Sequence, residues 1–203
     1  MSLETAGAEA FSAPPRDYRL AFPEGWDRIV LDPEILDRQI ERIVERATRG
    51  QDDIPHLKRQ LADALKERAM QAWANGGVEL YLSNQQVGEV TLSAALVTTL
   101  VPAKDDTPLP TLHQHGTALA AKGEDVSMVD LAVGPALRHR YRELPDPAAQ
   151  YGNTLPITHV DYTLAVPNTT SQLMLSFSTP LEPLANQMVV LFDTIAATMQ
   201  WMA

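Results

Sequence analysis

The sequence predicts a single-domain α+β protein built on a mainly antiparallel sheet, and three observations carry that expectation. First, the closing stretch LMLSFSTPLEPLANQMVVLFDTIAATMQW places Leu173, Leu175 and Phe177 in strand alternation. It then repeats Leu184, Met188, Leu191, Ile195 and Met199 at helical spacing, so one strand and one helix can share a core. Second, the strand-like segments after residue 78 mostly follow one another through short turns, which favours antiparallel pairing. Third, two helical patterns between residues 33 and 75 are joined by only a few residues, so they lie antiparallel.

Taken in order, residues 1–17 read as a disordered lead and 18–203 as the domain. YRLAF (18–22) and WDRIVL (26–31) read as short strands around the turn Pro23-Glu24-Gly25. Asp32 and Pro33 suit an N-cap and first helical position. Leu36, Ile40, Ile43, Val44 and Ala47 then form an apolar stripe that Gly50 closes. Asp52 or Asp53 caps a longer helix with Ile54, Leu57, Leu61, Ala64, Leu65 and Ala72 on one face, stopped by Asn75-Gly76-Gly77. Strands follow at 78–83 and 91–101, then a polar break, a short helix near 111–121, and strands at 126–133, 136–144, 158–166 and 171–178. The terminal helix ends the chain.

Composition narrows the function. At 203 residues with 45% hydrophobic content, the chain can bury a sizeable core. It has no cysteine, which excludes disulfides, thiolate metal sites and cysteine nucleophiles. A net charge of −10 argues against nucleic acid or an anionic membrane as the main partner. No apolar run reaches membrane-spanning length, and the N-terminus lacks the basic start and apolar run of a secretory signal, which suits the cytoplasm.

Chemistry-bearing patterns are few. On one strand Arg138, Arg140 and Arg142 alternate onto one face, opposite Leu137, His139 and Tyr141. On another, His159, Asp161 and Thr163 share a face. If the strands adjoin, the arginine row lies beside His159 and Asp161, with Ser176 and Ser178 on the next strand. Such a group would hold an anionic ligand. The plain alternative is a solvated face with cross-strand ion pairs. His113-Gln114-His115 falls in a helix or loop, where the two rings diverge, so no metal is expected. Arg68 falls in phase with Leu57 and Leu61, and reads as a snorkelling or paired side chain. On the first helix, Arg38, Arg42, Arg46 and Arg49 run beside Asp37, Glu41 and Glu45, the pattern of a solvated, ion-paired helix. Val190, Ala197 and Trp201 lie opposite the stripe of the terminal helix. Either that helix is covered on both sides, with Trp201 folding back onto its own domain, or the three form a partner-binding strip. The first reading is preferred. No nucleophile elbow, phosphate loop or opposed carboxylate pair is present, so no catalytic residue and no cofactor are expected.

The opening FPEGWDRI and the closing LMLSFSTP and LANQMVVLFDTIAATMQW resemble the Mog1/PsbP-like fold, a twisted antiparallel sheet between helical layers. The first motif looks like that family's P-x-GW hairpin and the second like its final strand and helix. The helical pair at 33–75 is longer than that fold needs. The chain also looks like a group of actinobacterial proteins, which supplies no functional residues. The resemblance implies a binding scaffold, since relatives include a small-GTPase-binding import factor, a photosystem subunit and chaperones for secreted effectors. No site residue is carried over from them. The function expected is a non-catalytic adaptor, chaperone or accessory subunit with a protein partner, possible also as a homo-oligomer. The alternative is a ligand-binding domain or enzyme using Arg138, Arg140, His159 and Asp161.

Overall fold

Seven strands form one antiparallel sheet in the order β2-β3-β4-β8-β7-β6-β5. In chain order these are β2 (Trp26–Val30), β3 (Gly77–Val87), β4 (Val90–Val101), β5 (Asp125–Leu131), β6 (Gly134–Glu143), β7 (Ile157–Ala165) and β8 (Gln172–Thr179). The computed structural model describes residues 13–50, 55–88, 90–104, 107–144 and 155–203. Asp52, Asp53 and Ile54, expected to open the second helix, lie outside them. Strands β5 to β8 follow by hairpins, and β8 then returns beside β4, closing the sheet in its middle.

Register fixes which residues share a face. One cross-strand row runs Arg28, Tyr81, Leu96, Phe177, Val160, Arg140, and the adjacent row, on the opposite face, runs Ile29, Leu80, Val97, Ser176, Asp161, His139. The first face is covered by α4 (Ala185–Ala197), whose Met188, Phe192 and Ile195 pack with Val160, Tyr162, Leu175 and Phe177. On the second face, α1 (Leu36–Ala47) and α2 (Pro55–Ala74) cover Ile29 and Leu80 with Leu36, Ile40, Val44 and Ala69. Farther along that face, α3 (Leu112–Ala120) sits over β5 and β6. Helices on both sides of an antiparallel sheet make the α/β/α sandwich expected from the sequence. No helix among the described residues is long and apolar enough to cross a membrane.

Local chemistry explains most boundaries. Thr111 caps α3 in a reciprocal box with Gln114. Gly76 ends α2 at φ +84°, and a Cβ at Gly77 would stand 2.7 Å from the Ala72 carbonyl oxygen, so this double glycine lets the helix turn tightly into β3. Asp32 does accept a bond from the Glu34 amide, but it caps a preliminary turn, and α1 begins at Leu36.

Five expectations change. The segments around Pro23-Glu24-Gly25 do not pair with each other. Instead β1 (Asp17–Arg19) forms a separate two-stranded sheet with β9 (Gln200–Met202), while β2 pairs with β3. Arg16 and Asp17, placed in the lead, therefore belong to the folded part, the Arg16 amide bonding the Met202 carbonyl. The terminal helix stops at Ala197 because Thr198 turns its hydroxyl onto the Ile195 carbonyl and accepts a bond from the Ala21 amide. On α1, Thr48 is buried in place of Ala47, its hydroxyl bonded to the Val44 carbonyl. On α2 the buried side is Ala62, Leu65, Ala69, Met70 and Ala72, whereas Leu57, Leu61, Ala64 and Arg68 are exposed. Fully buried Ala69 allows close approach to the sheet, which a row of leucines would prevent.

Phe192 is fully buried and its ring stacks on Phe177 at 5.0 Å. Phe192→Ala should lower unfolding stability by about 3–5 kcal/mol, read as a shifted urea midpoint. A loss under about 1 kcal/mol would mean α4 is not packed as described.

Candidate functional site

Strands β6 and β7 are neighbours, and their register decides how the candidate residues combine. Arg138 lies opposite Tyr162, Arg140 opposite Val160 and Arg142 opposite Thr158, whereas His139 faces Asp161 and Tyr141 faces His159. Directly opposed residues project to the same side. The arginine row and the His159–Asp161 pair therefore lie on opposite faces of the sheet, and the single anion-holding group expected from the sequence is not assembled.

On the first face, the arginines engage the terminal helix and the turn before it. Arg138 donates from Nε to Asp193 Oδ1 at 2.9 Å and from Nη2 to Oδ2 at 3.3 Å, and the Tyr162 hydroxyl donates to the same carboxylate. Arg140 donates to Asn186 Oδ1 at 2.8 Å, and Arg142 pairs with Glu182. This row docks the helix. Its bidentate Arg138–Asp193 pair, in which the arginine is mostly covered and the carboxylate partly exposed, is worth more than the open Arg142–Glu182 pair, for which about 0–1 kcal/mol is typical.

On the second face, on β6 and β7, the rings of His139, Tyr141 and His159 stack in series. Centroid separations are 4.7 Å and 4.8 Å, and the last two rings are within 4° of parallel. Asp161 lies beside them, hydrogen-bonded with Ser176 and Tyr141, while its Oδ1 is buried without a hydrogen-bond partner. Glu124 stands 3.4 Å from His139 Nε2, and Glu143 3.2 Å from His159 Nε2. Burial lowers the His159 pKa below 6.5 despite the nearby Asp161 and Glu143 carboxylates. It raises that of Asp161 above 3.8 despite the Ser176 bond and the adjacent His159. Burial and Asp161 together raise Tyr141. Among the described residues, no three His, Asp or Glu side chains come together as a metal site.

The other candidates separate. Val190 and Ala197 are exposed on α4, which is covered on one side only, contrary to the preferred reading. Trp201 leaves them altogether. It sits in β9, half-buried and paired across from Tyr18, folded back on the domain. His113 and His115 fall on α3 two residues apart, where their directions diverge.

The sequence reading missed one buried group, Glu79. It is only 4% exposed and receives hydroxyl bonds from Tyr18 and from Tyr81 (2.7 Å), together with Nε of Arg28 at 2.7 Å. The signal was present in VELYLS, where Glu79 shares strand phase with Tyr81, the residue that turned out to face the core.

A solved structure, the solution structure of cyanobacterial PsbP (CyanoP) from Synechocystis sp. PCC 6803, is similar to this chain at 15% identity and a TM-score of 0.45. The match covers 91% of this chain and 86% of that one. No family model and no curated protein matches the chain.

Two measurements test this geometry. Arg138→Met should cost about 1.5–3 kcal/mol in chemical denaturation and Arg142→Met under about 1 kcal/mol, and equal losses would contradict the helix-docking role. Because His159 has a folded pKa below 6.5, the unfolded chain takes up its proton first as pH falls. Its contribution is full above pH 6.5 and declines below it. Asp161 acts in the opposite sense, its contribution full below pH 3.8 and lost as pH rises through its folded value. His159→Gln should flatten the stability decline that starts below pH 6.5. A slope identical to that of the parent protein would remove His159 as its source.

Proposed function

We propose that this chain is a non-catalytic adaptor, chaperone or accessory subunit that presents helix α2 to a protein partner. The observation that carries the reading is the outer side of that helix. Leu57 is 51% exposed and Leu61 36% exposed, and with exposed Ala64 they follow the i, i+4, i+7 spacing that docks into apolar grooves. Lys58, Arg59 and Arg68 stand on the same helix, in a chain whose net charge is −10. The partner surface that complements them is an apolar groove with an acidic rim. Val190, 64% exposed, and Ala197 offer a second, smaller strip on α4. The cytoplasmic location expected from the sequence belongs to the same proposal.

The test compares the parent protein with Leu57→Glu/Leu61→Glu in capture from the native host's lysate, with light scattering of the purified proteins alongside. The parent should retain one stoichiometric protein companion that the variant loses, while each exposed substitution changes stability by only about 0.5 kcal/mol. A companion retained equally by both proteins would remove α2 as the docking helix. Self-association lost in the variant would make the partner a second copy. A monomeric, companionless parent would overturn the adaptor reading.

A further inference from the structure

We propose that the cleft between β1 and the start of β2 binds a small aromatic carboxylate. This cleft has a volume of about 300 Å³, at the lower end of the range for small-molecule sites and enough for one or two fused rings. Its walls are aromatic. Phe22 stacks on Tyr81 at 4.3 Å and stands 5.2 Å from Trp26, and Tyr18 closes another side. Two cations line it, Arg19 from β1 and Arg28 from β2. Asp17 lines it as well, its Oδ1 accepting the Tyr18 amide at 2.8 Å.

The buried Glu79 explains why Arg28 is the recognition group. Nε and Nη2 of Arg28 both bond Oε1 of Glu79, while the hydroxyls of Tyr18 and Tyr81 bond Oε2. Four donors thus hold a carboxylate that would otherwise be very costly to bury. The guanidinium plane is fixed from behind by this network, Nη1 takes no part in it, and the arginine side chain remains 54% exposed. A guanidinium held in one orientation beside aromatic walls suits a planar anion. The ring stacks on Phe22 and Trp26 while the carboxylate meets the outer edge of Arg28, with Arg19 adding attraction at the rim.

The experiment titrates isotope-labelled full-length protein with indole-3-acetate and benzoate, using indole-3-acetamide and benzamide as neutral controls, and follows the indole N–H resonances. The chain has three tryptophans, so Trp26→Phe assigns the relevant signal. Both carboxylates should shift the Trp26 resonance saturably, and the amides should bind at least about tenfold more weakly, ~1.4 kcal/mol. Arg28→Lys should reduce carboxylate affinity about tenfold and leave amide affinity unchanged, because lysine keeps a charge for Glu79 but loses the planar fork. If that variant does not fold, Phe22→Ala replaces it, and it should weaken both probes alike. No saturable shift with either carboxylate, equal binding of acids and amides, or a shift confined to Trp73 or Trp201 would overturn the proposal.

Discussion

The packing of α4 against β7 and β8 is the contact on which the first face of the sheet depends. Phe192, Ile195 and Met199 are essentially without exposure and cover Val160, Tyr162, Leu175 and Phe177. Each such side chain withdraws apolar area worth roughly 1.5–3 kcal/mol from water. The consequences run outward from there. The position of α4 brings Asp193 and Asn186 over the arginine row, and its end at Thr198 delivers β9 to β1. Strand β1 in turn carries Tyr18 to Glu79, joining two ends of the chain that sequence separation keeps far apart.

The second face has a different balance. Its apolar half is closed by α1 and α2, while strands β6, β7 and β8 carry two histidines, a tyrosine, an aspartate and two serines on this face. Polar groups half-buried on a sheet are stable when they bond one another. Here Ser176 and Tyr141 bond Asp161, Glu124 stands beside His139 and Glu143 beside His159, and the three rings stack on one another. Asp161 Oδ1 and His159 Nε2 are buried without a hydrogen-bond partner, in keeping with the raised pKa of the carboxyl group and the lowered pKa of the imidazole.

Much of the fold was legible because its signals are local. Alternation in LMLSFS and helical spacing in the residues after Pro183 define β8 and α4 without knowledge of any neighbour. The Asn75-Gly76-Gly77 stop and the Thr111 cap likewise act within a few residues. The phase of α2 was not legible. Leucines at 57 and 61 look like a core stripe, yet the sheet accepts the side carrying Ala69, since the spacing between layers sets which side chains fit. For the candidate site, the sequence identified the arginine row and the His159–Asp161 pair as separate alternating sets. It did not supply the parity between their strands, and a shift of one residue exchanges faces.

The sequence by itself thus determined the α+β class, most of its strands and helices, and the residue types able to do chemistry, because periodicity and capping are properties of short segments. The tertiary structure alone decided three matters. It placed β9 against β1, separated Arg138 from Asp161 by the thickness of a sheet, and buried Glu79 among Tyr18, Arg28 and Tyr81. Each depends on pairing between residues distant in the chain, whose register is fixed by the packing of whole layers and not by any local pattern.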